Sequence, residues 1–211
     1  MPQMEKTNRF FEFEVRAENN EQYGDYIVGR PIVYNAPTDI AGCYQEIIER
    51  GALDNADLRD VRFLVGHDTS MIPLARSRRN NANSTMQMEI DLEGMNIRVN
   101  LDTENNTYAR ALYSATKRED ISGMSFAFIV DDAEWTGLDT DYPTRHIRSI
   151  SRVTEVSAVA FPAYEQTTLE ARSAEAVETA RAALEREKAE VRDAQLREEL
   201  RNKINSILGG H

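Results

Sequence analysis

Up to about residue 165, short apolar runs alternate with turn residues, a pattern typical of β-strands. Phe11, Phe13 and Val15 alternate with charged residues and predict a half-buried strand. Glu93-Gly94 predicts the turn of a hairpin. Further strands are predicted at residues 26–34, 61–65, 86–92, 96–101, 124–130, 145–150 and 153–160.

Two short helices are predicted among these strands. The first covers residues 44–50, with Thr38 or Asp39 as its cap and Gly51 at its end. The second covers residues 107–117 and follows Asn105 or Asn106 as cap. Many short strands with few helices favour an α+β domain or a β-barrel.

The composition changes near residue 165, and residues 168–208 predict one long helix rich in Ala, Glu, Arg and Leu. Val177, Leu184 and Val191 recur every seven residues, which gives at best a weak coiled coil. The segment is either a solvated tail or a scaffold-like arm that binds a partner. We therefore divide the chain into a domain at 1–165 and a charged helical tail at 166–211.

The formal net charge of -11 disfavours nucleic-acid binding, because phosphate backbones repel an acidic chain. Zinc, P-loop and dinucleotide motifs are absent from the sequence, and we expect no cofactor. No run of about 18 apolar residues predicts a membrane span. The N-terminal residues lack a secretory signal, and the lone Cys43 has no disulfide partner within the chain, so we expect a reducing, cytoplasmic setting.

Nucleophilic catalysis needs a hydroxyl or thiol beside a base, and a third group that orients the base. His67 follows an apolar strand and a glycine, which places it at a strand end. His146 lies between Arg145 and Ile147, and two nearby arginines reduce its basicity. His67 is therefore the better candidate for the base, although a structural polar contact would explain it too.

Ser125 lies in a predicted strand after Gly123, with the small Ala127 on its own face. Taken alone, this pattern is that of an ordinary strand serine. Glu155 lies in another apolar strand, where a buried carboxylate needs a partner, in an ion pair or beside a histidine. Asp68 adjoins His67, but neighbours on an extended segment point apart.

Taken together, three segments resemble the tailed-bacteriophage prohead (capsid maturation) serine proteases. They are Gly66-His67-Asp68, then Gly123-Met124-Ser125-Phe126-Ala127-Phe128, then Glu155-Val156-Ser157-Ala158-Val159-Ala160-Phe161-Pro162-Ala163-Tyr164. The resemblance covers about residues 10–165. It implies a fold similar to the herpesvirus assemblin protease: a small β-barrel surrounded by helices, here with a long C-terminal helical extension.

The resemblance also implies roles and partners. Ser125 falls at the nucleophile, His67 at the base and Glu155 at the acidic third member, with His146 as the alternative because viral relatives use a second histidine. Backbone N–H groups are the default donors to the oxyanion, and Arg76, Arg148 or Arg152 could assist them. The implied partners are the major capsid protein, the scaffolding protein and a second copy of the chain, inside the assembling procapsid in the host cytoplasm.

Two other functions stay open at this stage. One is a non-enzymatic capsid assembly or scaffolding protein with a protease-like domain. The other is an esterase, although Gly123-Met124-Ser125-Phe126-Ala127 lacks the final glycine of the Gly-x-Ser-x-Gly turn.

Overall fold

The computed structural model describes the backbone of residues 6–11, 15–160 and 170–208, and the side chains of 15–160 and 177–206. Part of the predicted first strand (12–14) and the segment Phe161-Pro162-Ala163-Tyr164 lie outside the described residues. Neither helix within the described chain has both the length and the apolar character needed to cross a membrane.

Eleven strands and two helices make up the described residues, so the α+β prediction is confirmed. In chain order they are β1 (Lys6–Phe11), β2 (Arg16–Asn20), β3 (Gly24–Val33), β4 (Thr38–Ile40), β5 (Tyr44–Ile48), β6 (Asp60–Val65), β7 (Ala75–Arg78), β8 (Met86–Ile90), β9 (Gly94–Asn100), α1 (Thr107–Lys117), β10 (Gly123–Thr136), β11 (Thr144–Val159) and α2 (Glu170–Leu208).

Contacts divide the chain into two compact units. The predicted boundary at residue 165 stays a prediction. The first unit comprises Met1–Thr38, Ile47–Glu134 and His146–Thr168, and the second comprises Asp39–Glu46, Trp135–Arg145 and Leu169–His211.

The first unit contains an antiparallel sheet in the order β2-β3-β9-β8 and the strands β1-β10-β11-β6-β7 of a second sheet. Strand β6 runs parallel to β11, whereas β1 and β7 run antiparallel to their neighbours. The main apolar core contains Phe63, Phe126, Phe128 and Val156, all without exposed surface. Neither sheet closes on itself among the described strands, so the predicted barrel is wrong.

The second unit contains a smaller apolar cluster. Tyr44 meets Trp135 edge-on, with ring centroids 4.8 Å apart, and Ala180 and Leu184 of α2 are buried in the same cluster. Farther along α2, residues 189–206 are all exposed. The predicted tail helix is thus confirmed, and its role stays a prediction.

One predicted helix is wrong. Residues 44–48 form strand β5, in which Tyr44, Glu46 and Ile48 are buried and the residues between them are half-buried. That period of two suits a strand, and adjacent β-branched Ile47 and Ile48 favour it. Asp39 accepts a hydrogen bond from the Gly42 N–H in a turn before β5, so it does not cap a helix.

Two other local predictions are confirmed. Helix α1 has the predicted bounds, and the Asn106 side chain accepts hydrogen bonds from the N–H groups of Tyr108 and Ala109 as its cap. The predicted hairpin is formed by β8 and β9. The two strands predicted at 145–150 and 153–160 are one continuous strand, β11. Of the strand predicted over Phe11, Phe13 and Val15, Phe11 ends β1 and Val15 lies outside any strand.

Candidate active site

Strand β10 begins with large apolar side chains on one face and small side chains on the other. Met124, Phe126 and Phe128 belong to the main core, so Ser125 and Ala127 point to the opposite face. Both are nevertheless fully buried. Ser125 also lies directly opposite Phe10 in the backbone register of β1 and β10.

Strand β11 runs antiparallel to β10 and presents a polar pair on the same face as Ser125. Two side-chain hydrogen bonds show the antiparallel orientation: the Ser151 hydroxyl donates to the Ile129 carbonyl, and the Thr154 hydroxyl donates to the Ala127 carbonyl. Val156 and Ala158 of β11 lie in the main core, so Glu155 and Ser157 point away from it, as Ser125 does. Both are at most 3% exposed.

A left-handed turn after β6 brings His67 back over β11. Gly66 and His67 have φ values of 59° and 60°, and the Gly66 N–H donates to the Ala158 carbonyl at 2.9 Å. Positive φ costs a non-glycine residue conformational energy, and such residues persist only where surrounding contacts hold them. Here the His67 N–H donates to the Ser157 hydroxyl at 3.2 Å.

The His67 imidazole and the Glu155 carboxylate are in direct contact. His67 Nδ1 lies 2.5 Å from Glu155 Oε1, and the two side chains are 15% and 4% exposed. A carboxylate at Nδ1 favours the tautomer with its proton there, which puts the basic lone pair on Nε2. The Ser157 hydroxyl donates to Glu155 Oε2 at 2.6 Å, so both carboxylate oxygens are held.

Ser125, Glu155 and His67 therefore lie on or after three successive strands, β10, β11 and β6. Strands β10 and β6 are two strand spacings apart, about 10 Å. The imidazole shortens that separation because it folds back onto the central strand. His67 is therefore in contact with Glu155 of β11, and Ser125 lies on the adjacent strand, β10, on the same face of the sheet.

The other candidates for the third member and for a neighbouring acid lie elsewhere. His146 is nine residues before Glu155 on β11, about 30 Å of extended strand away, and its Nδ1 lies 3.2 Å from Glu49 Oε1. Asp68 accepts hydrogen bonds from the N–H and hydroxyl of Ser70 and so closes a local turn.

The three arginines considered for the oxyanion all form ion pairs. Arg76 pairs with Asp60, Arg148 with Glu134, and Arg152 lies 4.0 Å from Asp57. The sequence offers no reason to choose among them, and the structure gives each a carboxylate partner.

Ser157 is the residue that sequence reasoning missed. Its alternation with Glu155 predicts that the two share a face, but a serine two residues from a carboxylate is common. Only the turn at His67 shows that one hydroxyl bonds both the carboxylate and the backbone of the histidine. Among the side chains described, no group of three or more His, Cys, Asp and Glu residues is placed to hold a metal ion.

The sequence profile of the caudovirus prohead serine proteases matches residues 11–181. The chain belongs to this family. The match covers Ser125, His67 and Glu155 and extends into α2. Membership places the chain among the serine proteases of tailed-phage proheads, as the motifs had suggested.

Comparison with other proteins adds little to this membership. The capsid assembly protease of bacteriophage T4 is a structural neighbour with 11% sequence identity and a TM-score of 0.38, covering 72% of this chain and 98% of that one. A likeness at that level carries no argument about the site. No curated protein sequence matches the chain.

Proposed function

We propose that the chain is a serine endopeptidase with Ser125 as nucleophile, His67 as general base and Glu155 as the group that orients the base. The observation that carries the proposal is the His67 Nδ1–Glu155 Oε1 contact of 2.5 Å, buried one strand from Ser125. An imidazole oriented in this way has its basic nitrogen available for a serine proton. Family membership supports the same chemistry.

In this mechanism Ser125 Oγ attacks the scissile carbonyl carbon while its proton moves to His67 Nε2. The tetrahedral intermediate collapses, the C–N bond breaks, and the leaving amine takes the proton from the imidazolium. Water then attacks the acyl-enzyme, and His67 accepts its proton. The ester C–O bond breaks, and the proton returns to Ser125. Glu155 stabilises the imidazolium at both stages.

The burial of Ser125 bears on how this chemistry begins. Its side chain has no exposed surface, so a peptide reaches the hydroxyl only after neighbouring groups move. The described conformation is therefore closed to substrate, and we propose that engagement of substrate opens it. Closure is useful in a protease that is packed among its own substrates.

We further propose that the substrates are the scaffolding protein or the scaffolding segment of the major capsid protein, and the chain itself. Cleavage takes place inside the assembling procapsid in the host cytoplasm. Helix α2 would act as the arm that contacts scaffold and is later removed. The exposed Leu196, Leu200 and Ile204, spaced four residues apart on this helix, support that role. Similarity to the assemblin fold stays part of this proposal.

Co-expression with the cognate capsid and scaffolding proteins tests the function. We expect intact-mass spectrometry to show discrete fragments of one or both proteins, together with a shortened form of the chain. Full-length partners that assemble normally beside an uncut chain would favour the non-enzymatic assembly protein instead.

The Ser157→Ala variant tests how the acid is held. The hydroxyl makes a charge-assisted hydrogen bond to Glu155, a class worth about 1.5–3 kcal/mol, so we expect kcat to fall about 10- to 100-fold. KM should stay unchanged, because Ser157 touches no substrate in the proposed mechanism. Ser151→Ala is the matched control. Ser151 lies on the same strand as Ser157, and its hydroxyl donates to the Ile129 carbonyl of β10. Equal kcat values for the two variants would argue against a positioning role.

A further inference from the structure

The sheet face that carries Glu155 continues across β6 and β7 as a row of charged side chains. The strand register places Glu155 beside Arg62, and Arg62 beside Arg76. Side chains paired across neighbouring strands point to the same face. The row from Glu155 to Arg76 therefore spans two strand spacings, about 10 Å.

Beyond this row lies a groove of about 390 Å³. It lies at the N-terminal end of β6, whereas His67 follows the C-terminal end of that strand. It is lined mainly by charged residues, including two aspartates and five arginines: Arg59, Arg76, Arg78, Arg79 and Arg152.

The two aspartates order part of the groove without neutralising it. Asp57 accepts two hydrogen bonds from the Arg59 side chain, and Asp60 accepts two from Arg76. Those bonds hold the pKa of both carboxyls below the usual range, so both are charged near neutral pH. Five arginines against two aspartates leave an excess of three positive charges, in a chain whose net charge is -11.

Two of the arginines are presented to solvent at the end of β7. Arg78 and Arg79 are exposed, and the chain turns there through Arg79 and Asn80, with φ values of 57° and 48°. Among the side chains of residues 15–160 and 177–206, no carboxylate forms an ion pair with either one. Like charges gathered in one groove repel each other, and an anion bound between them relieves that repulsion.

Carboxylate side chains fit this groove better than a nucleic acid does. A guanidinium binds a carboxylate through two parallel N–H donors, as Arg76 and Arg59 already do with their own aspartates. The net charge of -11 repels an extended polyanion from the rest of the surface. A short acidic peptide segment places only a few carboxylates in the groove and avoids that repulsion.

We infer that this arginine groove binds acidic side chains of the peptide substrate, at positions away from the scissile bond. The inference rests on the proposed protease function. The groove begins on β7, three strand spacings or about 15 Å from Ser125 on β10, so an extended peptide reaches it about four to six residues from the bond that is cut. It would thus select substrates by acidic residues at that distance.

Binding of a fluorescein-labelled hexaglutamate peptide, followed by anisotropy, tests the inference in the full chain carrying Ser125→Ala. We expect hexaglutamate to bind and hexaglutamine not to bind. The double change Arg78→Ala/Arg79→Ala should weaken binding about tenfold or more. The control, Arg192→Ala/Arg197→Ala, removes the same charge from the exposed part of α2 and should change binding less than twofold.

Three results would overturn the inference: no hexaglutamate binding, equal weakening by both double variants, or tighter binding of a single-stranded oligonucleotide or inorganic phosphate than of hexaglutamate. None of them bears on whether Ser125 cleaves peptides, because binding is measured in a chain that lacks the nucleophile. In the chain with Ser125 intact, the groove variant should raise KM for a glutamate-rich substrate and leave kcat unchanged. An unchanged KM would count equally against the groove.

Discussion

The Ser125→Ala variant should leave co-expressed capsid and scaffolding proteins uncut, with a loss of about four to six orders of magnitude in cleavage rate. The change removes the only atom that attacks the peptide carbonyl in the proposed mechanism. It should not disturb folding, because Ala127 already occupies the same buried face of β10. Fragment masses and the melting temperature together separate loss of chemistry from loss of structure.

Ser122→Ala is the matched control, since Ser122 is exposed and only three residues away. It should cut at the wild-type rate. If Ser125→Ala produces the same fragments at the same rate as Ser122→Ala, another residue is the nucleophile.

The Glu155→Gln variant should lower kcat/KM about 10⁴-fold with KM nearly constant. An amide has no charge to stabilise the imidazolium, and its NH₂ group donates to His67 Nδ1, which moves the imidazole proton to Nε2. That nitrogen then has no lone pair for the Ser125 proton. Steady-state cleavage of a peptide that spans a mapped cleavage site measures the effect.

The chain offers a second Glu–His pair as control for this change. Glu49 Oε1 lies 3.2 Å from His146 Nδ1, at a more exposed position of the same unit. Glu49→Gln should lower kcat/KM less than twofold. A similar small loss for Glu155→Gln would remove Glu155 from the mechanism and leave its contact with His67 as a structural ion pair.

Local signals predicted the elements whose ends are marked by their own residues. Helix α1 follows an asparagine cap, and the β8–β9 hairpin turns next to a glycine, so short-range chemistry decides both. Strand β5 was mispredicted because Asp39 and Gly51 imitate the ends of a helix. The buried Glu46 of this strand forms an ion pair with Arg145, 99 residues away, and no local pattern predicts that partner.

Long-range pairing explains what the sequence could not predict about the sheets and the site. Whether a sheet closes into a barrel depends on which edge strands meet, and no local pattern records that. The order of His67, Ser125 and Glu155 along the chain was sufficient to suggest a triad. The positive φ of His67, the double role of Ser157 and the arginine groove follow only from the register of β6 with its two neighbours.

Labelling with a small fluorophosphonate tests the central assignment most directly, because the probe reacts with a serine only where a base activates it. Because Ser125 is buried and substrate is proposed to open the site, the probe is added while the chain is cleaving capsid or scaffolding protein. The account predicts one adduct per chain, located on Ser125 by peptide mass spectrometry and lost in the His67→Ala variant. A chain that cuts capsid or scaffolding protein while it carries the adduct at another residue, or none at all, would contradict it.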